Sequence, residues 1–336
     1  MDPKQAAAAA PISYWIYFSI GVLVLLVLDL SVFHRKAHRI SAREALAWTG
    51  FWVSLAAGFN LWVFYRFGSL KAQEFLTGYL MEEALSVDNI FVFVLIFRYF
   101  RVKPEYQHRI LFWGILGAIV MRLLFILIGG ALIKAFHPVL YVFGAFLLFT
   151  GFKLLTHKDE IEVDPSRNWA LRVFKRHFRT TEEFQGPRFL VKRDGLTYAT
   201  PLFLVLVVVE TTDVVFAVDS VPAIFGVTED TFIVFTSNIF AILGLRSIYF
   251  LLAGMMDAFR FLKVGLSLVL IFIGIKMLAE IFGEEYKVSI TVSLGVVAGI
   301  LVTSILASIF RPPPPPPPLP EENGNGPPSG TPSVAE

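Results

Sequence analysis

The sequence predicts an all-α fold, a polytopic membrane helix bundle, and three observations support this prediction. Of the 336 residues, 56% are hydrophobic and only 17% are charged, a low charged fraction for a soluble domain. Apolar runs of about 20 residues, the length that crosses a bilayer, recur along the chain. Lysine and arginine concentrate in alternate connections between these runs. A soluble protein of modest size could not bury so many apolar helices, so we expect a membrane protein.

The apolar runs predict about nine transmembrane helices. A short tail, residues 1–11, precedes a transmembrane domain over 12–310, and the loop at 156–197 is the only sizeable connection within it. The WALRVFKRHF stretch of this loop has the spacing of an amphipathic helix on the membrane surface. Residues 311–336 are rich in proline, which favours a disordered tail. The predicted spans are 12–33, 45–65, 76–97, 110–129, 131–155, 198–225, 231–253, 259–281 and 287–310.

The basic residues predict the orientation. They follow the first, third and fifth spans, whereas the connections at 226–231 and 283–286 carry only acidic charges. By the positive-inside rule the N-terminus lies outside and the C-terminus in the cytoplasm. Termini on opposite sides require an odd number of spans, which agrees with the predicted nine. The N-terminus resembles neither a signal peptide nor a transit peptide, so we expect a multi-pass protein of the bacterial plasma (inner) membrane. The absence of cysteine excludes disulfides, thiolate metal sites and a redox dithiol.

Three short motifs recur in the same order and indicate an internal repeat. The two units are spans three to five and spans six to eight. The third span enters from outside and the sixth from inside, so the three-helix repeat is inverted, as in many secondary transporters. The paired motifs are Ser86–Asn89 with Ala217–Ser220, Met121–Phe125 with Leu245–Tyr249, and Phe149–Leu155 with Phe272–Leu278.

Carboxylates lie inside two of these apolar runs. A charge near the bilayer centre costs about 3 kcal/mol on insertion scales, so several per chain suggest a site that holds something charged. On a helical wheel, Asp88 points roughly 120° away from Glu82, and Asp219 is offset in the same way from Asp213. Either the helices unwind locally, which Pro222 favours in the sixth span, or each face meets a different neighbour. The polar residues of the two runs are Glu82, Glu83, Ser86, Asp88 and Asn89, and Glu210, Asp213, Asp219 and Ser220.

Two interpretations of these residues remain open. The carboxylates could be interhelical clamps that pair with Arg122, Arg246, Lys153 and Lys276. They could instead hold a cation, because the candidate ligands all offer oxygen, which suits Mg²⁺, Ca²⁺ or Mn²⁺ better than Zn²⁺ or copper. Carboxylates could also relay protons as a coupling device. Further candidates are Asp29 in the first span and the amides Asn60 and Asn238, which more often join helices by hydrogen bonds.

At these residues the sequence resembles the TerC/Alx family of membrane proteins. The similarity covers roughly 12–310 and leaves the proline-rich tail outside. It is carried by VLDLSVFHRK (27–36), SVDNIFVF (86–93), YQHRILFWGILGAIVMR (106–122), ETTDVVFAVDSVPAIF (210–225) and SNIFAILGLRSIYFLL (237–252).

The resemblance implies a polytopic membrane protein with inverted three-helix repeats, linked in bacteria to manganese export and tellurite resistance. We therefore expect a transporter of a divalent cation, with Mn²⁺ as substrate and Mg²⁺ or Ca²⁺ as alternatives. No tightly bound cofactor, nucleic-acid partner or enzymatic activity is expected. The competing interpretation is a scaffold or membrane-protein insertion factor that does not transport. The family's acidic motifs map here onto Asp29, Glu83, Asp88, Asn89, Glu210, Asp213 and Asp219.

The charge distribution yields a topological prediction. A reporter fused within 156–197 should be active only as a cytoplasmic reporter, because the lysines and arginines of this loop retain it inside. A fusion at 226–231 serves as the control and should report the opposite side. A periplasmic signal from the 156–197 fusion would contradict both the orientation and the inverted repeat.

Overall fold

The computed structural model describes residues 10–28, 41–156, 169–181, 183–193, 195–253 and 261–310. The predicted all-α polytopic membrane bundle is confirmed. Asp29, the basic residues Arg35, Lys36 and Arg39 after the first span, and the proline-rich tail lie outside the described residues. The helices are α1 Ile12–Leu28, α2 Ala42–Phe67, α3 Ser69–Tyr99, α4 Pro104–Ala135, α5 Val139–Thr156, α6 Trp169–His177, α7 Pro201–Phe225, α8 Thr231–Leu252, α9 Leu262–Ala279 and α10 Ile290–Phe310.

Within the described chain, seven helices are long and apolar enough to cross a bilayer: α2, α4, α5, α7, α8, α9 and α10. Helix α1 is apolar, but its described part has 17 residues. Helix α3 has 31 residues and also carries the carboxylates that interrupt its apolar character. The count of nine spans therefore stays a prediction.

Local sequence signals explain where several helices begin. The Ser41 hydroxyl accepts a hydrogen bond from the Glu44 amide (3.2 Å) at the start of α2, and the Asp230 carboxylate accepts one from the Phe232 amide (3.1 Å) at the start of α8. Pro104 and Pro201 occupy the first positions of α4 and α7, where a missing amide hydrogen costs nothing. Such caps satisfy amides that the first helical turn leaves unpaired.

The predicted break in the sixth span is wrong. Helix α7 continues through Pro222 and ends three residues later at Phe225. A proline removes one backbone hydrogen bond and crowds the preceding turn, and a position in the last turn limits that disturbance. The Pro222 carbonyl still accepts the Gly226 amide (3.0 Å), so α7 stays helical past Asp219.

The cytoplasmic loop predicted at 156–197 contains more structure than expected. The predicted amphipathic helix is present as α6, and Leu171 on its inner face is buried. A two-stranded antiparallel hairpin follows, made of β1 (Leu190–Arg193) and β2 (Leu196–Ala199). Gly195 adopts a positive φ of 74° in the turn, a conformation that glycine tolerates best. The sequence pattern does not predict this hairpin, because its strands have only four residues each.

Two sets of helix contacts organise the bundle, one around α8 and one between α5 and α9. Helix α8 is almost entirely buried and packs against α2, α3 and α4. Helix α5 packs most extensively against α9, and the two run antiparallel. A Cβ atom on Gly151 would lie 3.0 Å from the Ser267 carbonyl oxygen, and one on Gly274 would lie 2.8 Å from the Gly144 carbonyl oxygen. Because glycine has no side chain, the backbones of α5 and α9 can approach each other closely at both ends of their contact.

The helix contacts have a two-fold pattern. Suppose that α3, α4 and α5 exchange places with α7, α8 and α9, respectively. The α3–α8 contact then becomes the α4–α7 contact, and the α5–α7 contact becomes the α3–α9 contact. All four contacts are present. This is the pattern that the predicted repeat would produce. The inverted repeat itself stays a prediction, because its inversion refers to a membrane.

The close α5–α9 contact leads to a prediction about stability. Gly274→Ala should destabilise the protein by about 1–3 kcal/mol, because overpacking against a backbone forces helices apart. Gly295→Ala on α10 is the matched control, since a Cβ atom there meets open space and alanine favours the helix. Thermal unfolding in detergent would measure both. Equal melting temperatures for the two variants would contradict the predicted close packing.

Candidate functional site

The membrane carboxylates come from two helices, α3 and α7, and they form two groups. Both helices are continuous, so residues six positions apart, such as Glu82 and Asp88, are separated by about 9 Å along the axis and face different directions. Of the two arrangements that the sequence leaves open, the structure has the one in which each helix face meets a different neighbour.

The first group surrounds Arg122 on α4 and is called the arginine cluster below. The Arg122 guanidinium lies 2.7 Å from the Glu82 carboxylate, and both side chains are only 1% exposed. The same guanidinium donates to the Asn238 side-chain oxygen (2.7 Å), and it lies within electrostatic range of Asp213. The cluster thus joins α3, α4, α7 and α8. A buried charge is tolerated when it is paired and hydrogen-bonded, so the cluster acts as an interhelical clamp.

Glu210 lies one helical turn before Asp213 and interacts with it electrostatically. Its carboxyl group packs onto Gly117 of α4, where a Cβ atom would collide with it. Gly117 therefore creates the space that Glu210 occupies. Nothing in the sequence alone singled out this glycine, because its role depends on how α4 packs on α7.

Glu83 interacts electrostatically with Glu82 of the arginine cluster but does not line the other group's cavity. It forms a side-chain hydrogen bond with Tyr79, one turn earlier on α3, and its carboxylate lies against Gly244 of α8. Asn60 on α2 has a buried side-chain oxygen without a hydrogen-bond partner in the described structure. The structure therefore does not bring Glu83 to the other predicted ligands, and Asp29 lies outside the described residues.

The second group lines a cavity of about 320 Å³, called the aspartate cavity below. Asp88 from α3 and Asp219 from α7 both line it and interact with each other electrostatically. Neutral oxygen groups line the same space, and the Thr150 hydroxyl of α5 donates a hydrogen bond to the Asp219 carboxylate. The charged and polar lining consists of Asp88, Asn89, Thr150, Lys153, Asp219, Ser220 and Lys263.

Two lysines supply the positive charge in this cavity. Lys263 of α9 interacts with Asp88, and Lys153 of α5 interacts with Asp219. Lys153 is the clamp partner that the sequence suggested. Lys263 was not anticipated, because it lies at the edge of a predicted span and no sequence pattern connects it with Asp88.

Two predicted counter-charges remain: Arg246 is buried on α8, and Lys276 has a different partner from the one predicted. Lys276 donates to the Gly226 backbone carbonyl (3.1 Å) just beyond the end of α7, instead of pairing with a carboxylate of α3 or α7 through a direct hydrogen bond. This bond secures the connection between α7 and α8.

The described residues contain no group of three or more carboxylate, imidazole or thiolate side chains that could hold a metal ion together. The aspartate cavity offers two carboxylates and several neutral oxygens. One of these, the Ser220 hydroxyl oxygen, is buried without a hydrogen-bond partner, which is uncommon for a buried polar atom. A cation there would complete its ligand shell with water, as Mg²⁺ and Ca²⁺ often do.

Comparison with known proteins assigns the family. Residues 67–313 match the Integral membrane protein TerC family, a range that includes every predicted site residue except Asp29 and Asn60. The chain belongs to this family. No solved structure matches the chain.

Several relatives match this TerC family chain over most of their own length. A Myxococcus xanthus protein named "Uncharacterized membrane protein STKORF319" is 50% identical over 297 residues, which cover 88% of this chain and 92% of the relative. An Escherichia coli (strain K12) protein named "Putative membrane-bound redox modulator Alx" is 48% identical over 306 residues, covering 88% and 94%. An "Uncharacterized membrane protein" of Rickettsia felis is 41% identical over 300 residues, covering 88% and 97%.

The arginine cluster leads to a prediction about folding. Arg122→Gln should lower the amount of folded protein in the membrane sharply, because removing one partner of a buried pair costs about 3–5 kcal/mol. Arg176→Gln, on the exposed face of α6, is the control and should leave abundance unchanged. The double variant Arg122→Gln with Glu82→Gln should recover part of the loss. Immunoblots of isolated membranes would measure all three variants. Normal abundance of Arg122→Gln alone would show that the cluster is not a clamp.

Proposed function

We propose that this protein transports a divalent metal cation across the membrane, with Mn²⁺ exported from the cell as the leading case. The observation that supports this proposal is the aspartate cavity. Two aspartates from different helices face one space, and the neutral oxygens of Asn89, Thr150 and Ser220 line it with them. Ionisable groups inside a membrane bundle commonly mark an ion pathway.

The chemistry of the lining favours particular ions. Every candidate ligand in the cavity is an oxygen atom, which suits Mn²⁺, Mg²⁺ or Ca²⁺, whereas Zn²⁺ and copper prefer imidazole or thiolate. At about 30 Å³ for each water molecule, a cavity of about 320 Å³ has room for a cation that keeps part of its hydration shell. Partial hydration is suitable for a transported ion, because the site must also release it.

The proposed place of proton coupling is a pair of carboxyl groups on α7, while the Arg122–Glu82 pair remains the fixed clamp. Glu210 and Asp213 lie next to each other, and one Asp213 oxygen is buried without a hydrogen-bond partner. A proton carried by these two carboxylates could move against the metal ion. The proposed setting is a bacterial plasma membrane, with the N-terminus outside and the C-terminus in the cytoplasm.

The printed name of the Escherichia coli relative, with the words "redox modulator", does not conflict with a transport function here. This chain contains no cysteine, so it cannot carry out thiol–disulfide chemistry itself. We infer that an effect of this protein on cellular redox state would act through the ion that it moves.

The second candidate is a scaffold or insertion factor that does not transport. The arginine cluster favours this candidate, because its carboxylate and guanidinium groups are already paired within the bundle. In this case the aspartates would serve only to pair with Lys153 and Lys263. The two functions differ in what happens when an aspartate loses its charge and the protein still folds.

Neutral replacements of the aspartates test the proposal. Asp88→Asn and Asp219→Asn should each abolish Mn²⁺ efflux while membrane abundance stays normal, because each removes half of the anionic charge that attracts the cation. The double variant should lose little more Mn²⁺ efflux than either single variant, since the effects of substitutions within one site are not additive. Mn²⁺ flux in proteoliposomes and cellular manganese content would be measured alongside abundance.

Glu105→Gln, an exposed carboxylate in the first turn of α4, is the matched control and should transport normally. Normal efflux by either aspartate variant would remove that aspartate from the site. Lower abundance together with normal flux per molecule would favour the scaffold. Cellular protection against zinc or copper but not manganese would contradict the proposed ion.

A further inference from the structure

The aspartate cavity contains equal numbers of negative and positive side chains. Asp88 and Asp219 face Lys263 and Lys153 respectively, and all four line the same space. Among the described residues, no other charged side chain lines it. With two carboxylates and two ammonium groups, the described lining of the cavity carries no net charge before any ion enters.

A divalent cation would change this balance. If both lysines stayed in place, the occupied cavity would carry two excess positive charges in surroundings that include Leu85, Phe216 and Leu270, where charges interact strongly. If both ammonium groups moved away, one divalent cation would replace two monovalent charges and the cavity would remain neutral.

The positions of the two lysines allow such movement. Lys153 lies three residues before the end of α5, and Lys263 is the second residue of α9. Lys153 is exposed and Lys263 is half-buried, so both side chains already extend toward the surface of the bundle. Lysine has a flexible four-carbon stem and can extend its charged end from an apolar environment to water.

Arg122 provides the contrast within the same protein. Its guanidinium is buried and held by both Glu82 and Asn238, and it lies in the middle of α4. It cannot leave Glu82 and Asn238 without breaking both contacts. Arg122 is thus a fixed counter-charge, whereas Lys153 and Lys263 lie near helix ends and closer to the surface.

We propose that Lys153 and Lys263 are tethered counter-cations that a divalent metal displaces when it binds to Asp88 and Asp219. This inference rests on the proposed function and adds how the site controls ion affinity and release. The ammonium groups neutralise the empty cavity, compete with the metal, and return to the aspartates as the metal leaves. The exchange replaces two tethered positive charges with one divalent ion.

The proposal predicts an opposite effect on binding and on turnover. In Lys153→Gln or Lys263→Gln, the metal no longer competes with one ammonium group, so Mn²⁺ should bind more tightly, on the order of tenfold. Release should slow for the same reason, so the maximal flux should fall together with the Mn²⁺ concentration at half-saturation. Lys153→Arg keeps the charge and should resemble the wild type in affinity. Lys175→Gln, exposed on α6, is the matched neutralising control.

The experiment uses the full chain with MnCl₂ as the probe, in calorimetric titration and in proteoliposome flux. For a variant that folds poorly, thermal unfolding with and without MnCl₂ provides a second measure of Mn²⁺ binding. Because ligand binding raises stability according to affinity, Mn²⁺ should raise the melting temperature of both glutamine variants more than that of the wild type.

Unchanged or weaker Mn²⁺ binding in both glutamine variants, with wild-type binding that depends on Asp88, would overturn this inference and leave the proposed function intact. Wild-type protein that binds no Mn²⁺, or binds it equally well after Asp88→Asn, would overturn both. Tighter binding in Lys153→Gln and Lys263→Gln, with normal binding in Lys153→Arg and Lys175→Gln, would establish the counter-cation role.

Discussion

The need to neutralise charge inside an apolar bundle constrains this structure more than any other interaction. The Arg122–Glu82 pair satisfies that need at the centre, where both side chains are almost fully buried. Its contacts also reach Asn238 and the neighbourhood of Asp213, so four helices meet around one guanidinium. Breaking such a pair leaves an uncompensated charge, which explains why one residue can determine how α3, α4, α7 and α8 assemble.

Two types of neutralisation coexist in the bundle and suggest a division of roles. The arginine cluster is buried and held by several contacts, properties that suit a fixed structural element. The aspartate cavity is partly accessible, and its positive charges sit on flexible side chains near helix ends. A site that must bind and release an ion needs carboxylates whose partners can be exchanged. The proposed transport site therefore differs from the clamp in its counter-charge, because both groups use the same carboxylate chemistry.

The helix packing supports this arrangement. Glycines at the α5–α9 contact bring two backbones together, and α5 and α9 are the helices that carry Thr150, Lys153 and Lys263 into the cavity. Gly117 has a comparable role on α4, where it leaves space for the Glu210 carboxyl group. Small residues thus place the polar groups by allowing close approach, which is a common way to pack helices in membranes.

The sequence alone determined the class of the protein, the positions of its long apolar helices, the amphipathic α6 and the identity of the membrane carboxylates. These features are local, because hydrophobic length, helical periodicity and charge can be read within one segment. Only the tertiary structure decided that α7 continues through Pro222, that Glu83 stands apart, and that the carboxylates form two groups. Contacts such as Arg122 with Asn238 join residues 116 positions apart, and no local pattern specifies them. Which carboxylate meets an arginine and which meets a lysine depends on the depth and rotation of each helix in the packed bundle.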